Sequence, residues 1–158
     1  MRFILTLFLH VSLIASSYDF DEIKHVSAVD ADFIKSGSIE ISKNRTIITY
    51  KEAKFKKIIK TDSNISIESS QGDIYNLKGN TLYYTTFFVD IMTKLGNFDK
   101  IKINRDFSVK RENNIFYITF LGNLSDAVER AEVKIKKLKV VSFKLFMSNE
   151  DTLEIIKK

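Results

Sequence analysis

The run Ile115-Phe116-Tyr117-Ile118-Thr119-Phe120-Leu121 constrains this chain more than any other stretch. It is β-branched or aromatic at nearly every position, which reads as a strand. Successive side chains of a strand point to opposite faces, so Ile115, Tyr117 and Leu121 take one side and Phe116, Ile118 and Phe120 the other. A sheet with one wet face carries its apolar residues on one side only. Apolar cover is therefore expected against both faces. Leu138–Met147 repeats the demand, with Val141, Phe143, Leu145 and Met147 on one face and Leu138, Val140 and Phe146 on the other. Helices, a ligand or both are expected to supply that cover.

A chain of 158 residues is long enough for one domain with its own core. It has no Cys, which excludes disulfides, thiolate metal sites and cysteine nucleophiles. It has no Pro either, so Gly, Asn, Asp and Ser must make the turns. Lys and Arg number 25 against 20 Asp and Glu, a mild basic excess that fits a solvated surface. Met1-Arg2, the apolar run Phe3–Ile14 and the small residues Ala15-Ser16-Ser17 read as a secretory signal cleaved after Ser17. A membrane span needs ~20 apolar residues, more than this run offers. The expectation is an exported, soluble chain with residues 18–158 as a single domain.

In the mature part, Asp19 is placed to cap a short helix with Phe20, Ile23, Val26 and Val29 near one face. Strands are expected over Gly37–Ser42 and Thr46–Tyr50, around the turn Lys43-Asn44-Arg45. Others are Lys54–Lys60 and Ile65–Glu68, around residues 61–64, then Ile74–Leu77 after Ser70-Gln71-Gly72-Asp73. Phe107–Arg111 and Ile115–Leu121 flank Glu112-Asn113-Asn114, and Glu132–Ile135, Leu138–Met147 and Thr152–Ile156 complete the set. Short strands joined by tight turns make an antiparallel meander. The exception is Thr81–Leu95, where Tyr84, Phe88, Ile91, Met92 and Leu95 recur at helical spacing with Phe87 at the edge. Asn80 or Thr81 can start this helix and Gly96 can end it. So apolar a helix must be buried around most of its circumference, and it is the natural partner for the second apolar face.

Catalytic patterns are missing. His25 is the one histidine beyond the signal segment, and no Gly-x-Ser-x-Gly elbow supplies a nucleophile for it. Asp19, Asp21 and Glu22 form one acidic group and Asp30 and Asp32 another, neither with calcium-loop spacing. Asp30 and Asp32 sit two apart, which suits caps and solvated groups better than a glycosidase pair. There is no phosphate-binding or dinucleotide fingerprint. No cofactor or metal is expected, and no enzyme. Lys51, Lys54, Lys56 and Lys57 surround Phe55, and Lys134, Lys136, Lys137 and Lys139 surround Ile135. Such lysines commonly protect edge strands from pairing, and docking to an anionic membrane face or acidic partner is the other reading. Export argues against nucleic acid.

Ala31-Asp32-Phe33-Ile34-Lys35, then Gly37-Ser38-Ile39-Glu40-Ile41, then Tyr50 together resemble the opening of the periplasmic lipoprotein carrier family LolA. Ile91-Met92-Thr93-Lys94-Leu95-Gly96-Asn97-Phe98 is similar to its mid-chain helix and following loop, and Val140–Met147 with Asn149-Glu150-Asp151-Thr152 to its last hairpin. Where many members place a tryptophan, Tyr50 stands here, and the Arg-Pro of the first hairpin is Lys43-Asn44. A lysine keeps the charge of that arginine, with its lid or partner contact, but loses the planar fork. The resemblance implies a mainly β fold with helices: an open, curved antiparallel half-barrel covered by helices. It implies a monomeric periplasmic carrier that shelters acyl chains, taking lipoproteins from an inner-membrane transporter to an outer-membrane acceptor. Residues expected to line the cavity are Phe33, Ile39, Ile41, Phe88, Ile91, Met92, Phe116, Ile118, Phe120, Phe143 and Leu145. A carrier of another exported lipid or glycolipid, and an envelope adaptor whose sheet only packs a helix, remain open beside it.

Overall fold

The structure, a computed structural model, describes residues 16–51, 55–94, 107–122, 125–137 and 139–158. These residues form one antiparallel sheet of eleven strands and one α-helix. The strands are β1 (Ser16–Val26), β2 (Ala31–Ile41), β3 (Arg45–Tyr50), β4 (Phe55–Thr61), β5 (Ile65–Ser69) and β6 (Ile74–Asn76). Helix α1 (Gly79–Lys94) follows, then β7 (Phe107–Glu112), β8 (Ile115–Phe120), β9 (Val128–Lys136), β10 (Lys139–Met147) and β11 (Thr152–Lys157). Their order across the sheet is β6-β5-β4-β3-β2-β1-β11-β10-β9-β8-β7. Two meanders thus run outward in opposite directions from a central pair made of the first strand and the last.

Turn chemistry sets the hairpins. Ser42 N–H donates to the Arg45 carbonyl at 2.8 Å across Lys43-Asn44, and Thr61 N–H to the Asn64 carbonyl at 2.9 Å. Asn113, Lys137 and Glu150 hold positive φ values of 55°, 51° and 67° at three further turns. Asn tolerates that conformation, whereas Lys and Glu adopt it at a cost.

One helix reveals the curvature of the sheet. Asp90 of α1 pairs with Lys60 of β4, while Phe87, one turn earlier, meets Phe120 of β8 edge-to-face with ring centroids 4.9 Å apart. β4 and β8 are seven strand spacings apart in the order. A flat sheet would separate them by about 34 Å, whereas a helix with its side chains is only ~10–12 Å across. The sheet is therefore an open trough with α1 lying along its concave side. Two β-bulges, between Val140 and Ser142 and between Phe146 and Met147, add twist on one flank.

The core follows the concave face. Tyr18, Phe20, Ile39, Ile48, Ile118, Phe120, Ala131, Val133, Phe143, Leu145 and Ile155 are buried in one cluster with Val89 and Met92 of α1. Gly37 lies between Phe20 and Tyr50 in register. A Cβ there would stand 2.5 Å from the Phe20 ring and 2.7 Å from the Thr49 carbonyl oxygen. The missing side chain lets Phe20 lie flat across the strand and meet Tyr50 edge-to-face at 5.7 Å.

Three expectations are corrected. The short helix capped by Asp19 does not form: residues 16–26 are strand β1, and Ser27–Val29 make a single 3-10 turn. Tyr18, Phe20 and Glu22 point inward from β1, and the buried carboxylate of Glu22 hides the alternation that marks a strand. Cover by several helices becomes cover by α1 alone among the described residues. Apolar cover on both faces of Ile115–Leu121 is also absent there. Tyr117 faces Lys110 and Glu132 in cross-strand pairs, Thr119 faces Arg130, and Leu121 lies beyond the strand and is exposed. In β10 the first bulge turns Val140 inward to join Phe143, so its two faces do not follow a simple alternation. Leu138, Leu95, Gly96 and the signal segment through Ala15 lie outside the described residues.

Gly37→Ala is expected to destabilise the fold by about 1–3 kcal/mol through overpacking against Phe20. Urea unfolding with an unchanged m-value and a lowered midpoint is the measurement.

Candidate functional site

α1 is held differently along its length. Toward its C-terminus, the Tyr18 hydroxyl donates to the Met92 carbonyl at 2.5 Å, the Thr46 and Thr93 hydroxyls lie 3.3 Å apart, and Asp90 pairs with Lys60. Val89 and Met92 are fully buried between these ties. Its middle turns are held chiefly by half-buried rings, Tyr84, Phe87 and Phe88. An apolar cavity of about 330 Å³ lies under those turns. Its helix wall is Tyr84, Thr85, Phe87 and Phe88, and its sheet wall is Ile58, Val128, Leu145, Met147 and Leu153, with Ala127 beside them. Thr85 and the Tyr84 hydroxyl are the polar side-chain groups in that lining.

Of the residues the sequence put forward, Phe88 and Leu145 line this cavity. Ile39, Met92, Ile118, Phe120 and Phe143 are buried in the core around it, with Ile41, Ile91 and Phe116 half-buried against that core. Phe33 stands apart, 53 % exposed near the start of β2. Lys43 is exposed in the β2–β3 turn and borders a small polar hollow of about 160 Å³ that also meets Asp90 and Thr93. Ile58, Val128, Met147 and Leu153 were not singled out by the sequence as lining. Met147 and Val128 face inward together across the second bulge, which no residue pattern announces.

Chemical groups are few. His25 Nδ1 and Asp32 Oδ1 are 2.9 Å apart on the face away from α1. No cluster of three metal-binding side chains occurs among the described residues. Among them, too, no helix is long and apolar enough to cross a membrane. A buried carboxylate inside the trough is that of Glu22, whose Oε2 accepts the Tyr50 hydroxyl at 2.5 Å while Lys35 Nζ stands 3.8 Å from Oε1. Burial raises the Tyr50 phenol far above the usual tyrosine range, and the Glu22 carboxylate beside it adds to the effect. Burial alone does the same to Tyr18.

No protein-family model matches the chain, and no curated protein matches it by sequence. Solved structures are similar in architecture. A DUF1329 family protein from Desulfovibrio piger superposes with a TM-score of 0.48 at 10 % identity, covering 94 % of this chain and 85 % of its own. A LolA superfamily protein from Nitrosomonas europaea gives 0.42 at 7 % identity, covering 93 % and 85 %. An outer membrane lipoprotein-sorting protein domain from Vibrio parahaemolyticus gives 0.44 at 5 % identity, covering 91 % and 83 %. Scores and identities this low say nothing of activity.

The two tyrosines give a pH prediction. Unfolded phenols ionise near pH 10, whereas folding keeps Tyr18 and Tyr50 protonated beyond that pH. Their contribution is complete below about pH 10 and declines as pH rises above it, by up to about 1.4 kcal/mol per pH unit for each phenol. Urea midpoints between pH 8 and 11 should fall in this way, and Tyr18→Phe or Tyr50→Phe should flatten the fall. At pH 7, Tyr50→Phe should also cost about 1–3 kcal/mol, because buried Glu22 loses its donor.

Proposed function

We propose that this chain is an exported, non-catalytic carrier that ferries lipoproteins from the inner to the outer membrane with their acyl chains held beneath α1. The observation that supports the reading is the cavity itself, nearly all apolar and roofed by the middle turns of the helix, which the polar ties near its C-terminus do not reach. Its volume is at the lower end of the ~300–1,000 Å³ range of small-molecule pockets. A longer chain would need α1 to lift from its N-terminus through the Tyr84–Phe88 turns. Each methylene taken from water contributes about 0.8 kcal/mol, so a ~16-carbon chain gains roughly 12 kcal/mol before ordering costs. Binding then needs no covalent chemistry.

In this reading residues 1–17 are the export signal and 18–158 the carrier, working as a monomer in the periplasm. An inner-membrane transporter loads it and an outer-membrane acceptor unloads it. Lys43, exposed at the β2–β3 turn, is the side chain for a lid or partner contact.

Mass spectrometry of the protein purified from its own cells should find acyl lipid or acylated protein bound at about one per chain. Phe88→Asp should remove it with the circular dichroism spectrum unchanged, and the exposed-site control Leu121→Asp should not. Depleting the protein should strand lipoproteins at the inner membrane. Recovery of the chain free of any acyl species, with lipoproteins sorted normally in its absence, would end the proposal.

A further inference from the structure

The concave face changes character along two neighbouring rows of the sheet. In the first row Leu145 pairs with Leu153, Leu153 with Lys24, and Lys24 with Phe33. The two leucines are cavity wall. In the second row Phe143, Ile155, Glu22 and Lys35 follow one another in the same way. Side chains opposite one another on paired strands share a face. Lys24 and Lys35 therefore stand on the same side of the sheet as the cavity wall, one and two strands beyond Leu153.

The charges there do not cancel. Lys24 is exposed and forms no ion pair with another described residue. Glu22 is 7 % exposed and already engaged, by the Tyr50 hydroxyl on one oxygen and by Lys35 on the other. Asp21 and Asp32 of the same strands face the opposite side, where Asp21 takes Ser36 and Lys158 and Asp32 takes His25. Two ammonium groups thus stand beside one carboxylate, which pairs with Lys35 and leaves Lys24 uncompensated near the edge of an apolar hollow. Phe33, large and exposed, closes the row.

We propose that this rim holds the anionic head of a lipid whose hydrocarbon occupies the cavity. The cargo class is then an acyl chain ending in a carboxylate or a phosphate, which the ester- and amide-linked chains of a lipoprotein do not. The proposal rests on the acyl-binding part of the carrier reading and turns its cargo toward a free anionic lipid. An ammonium donates charge-assisted hydrogen bonds to either anion, and an apolar neighbourhood strengthens them relative to open water. Lys24 supplies the free charge. Lys35, held in place by Glu22, stands beside it as a paired donor, and Phe33 closes the row beyond Lys24, on the side away from the cavity.

The test is fluorescence titration of the purified protein with cis-parinaric acid and with its methyl ester, which differ in the head alone. The acid should bind about tenfold more tightly than the ester at low salt, the equivalent of ~1.4 kcal/mol. The preference should shrink as salt is added. Lys24→Gln should abolish it while leaving the ester's affinity unchanged, and Lys24→Arg should restore it. Displacement by palmitate and by palmitoyl lysophosphatidic acid then distinguishes a carboxylate head from a phosphate head, and preference for either over monopalmitoylglycerol supports the rim. Equal binding of acid and ester, in wild type and Lys24→Gln alike, overturns the headgroup proposal and leaves the carrier reading standing. Binding of neither probe overturns the headgroup proposal, and overturns the carrier reading too if the protein from its own cells also carries no acyl species.

Discussion

Six backbone pairings between β1 and β11, from Phe20 with Lys157 to His25 with Thr152, make one sheet out of two. Without them β1 to β6 and β7 to β11 would be separate meanders, each with an apolar face open to water. The pairing brings Phe20 and Ile155, both fully buried, to the floor of the trough. It also brings Leu153, which lines the cavity, beside Lys24, which does not. The contacts join the two ends of the described chain, so loop-closure entropy opposes them more than any local hairpin. A topology of this kind folds slowly for its size.

Apolar surplus and cavity are linked through the way α1 is tied down. Polar contacts from Tyr18, Thr46 and Lys60 fix the second half of the helix in direction as well as distance. Ring packing fixes the middle turns less strictly, because dispersion contacts are non-directional and individually small. Phe87 on Phe120 draws those turns toward β8, and the space between this contact and Ile58 on the far side stays unfilled. The molecule's apolar excess is thus concentrated on one face. The convex face mixes charged residues with apolar pairs such as Ile23 with Ile34 and Ile47 with Ile59, and has no helix against it among the described residues.

Much of the architecture was legible in the sequence. Lys43-Asn44, residues 61–64 and Glu112-Asn113-Asn114 each separate two apolar runs, and each is a hairpin connection. The apolar spacing from Tyr84 to Met92 marked the helix, but the expected burial on most of its circumference is not found: Val89 and Met92 are buried, Tyr84, Phe87, Phe88 and Ile91 half-buried and Tyr83 exposed. β1 was read wrongly because Glu22 occupies an inward position and Asp19 and Glu22 mimic helix-start chemistry. Here tertiary context, the Tyr50 hydroxyl 28 residues away, overrode local pattern. Phe88 and Leu145 were anticipated as lining, but Leu153, Ile58 and Val128 were not. Inward-facing residues look alike in sequence whether a helix presses on them or leaves a gap. Bulges add to the difficulty, since one inserted residue reverses the face of everything beyond it.

The central position of β1 and β11 has a mechanical corollary. Lys158 N–H donates to the Asp19 carbonyl at 2.9 Å, so both described chain ends leave the sheet from the same end of adjacent antiparallel strands. Tension applied between those ends loads the hydrogen bonds of the seam in succession, as a zip is opened, rather than all together in shear. The weakest direction of pull therefore runs across the midline of the trough, and the seam opens from its Phe20–Lys157 end, so that the Lys24–Leu153 pair beside the cavity is among the last to part.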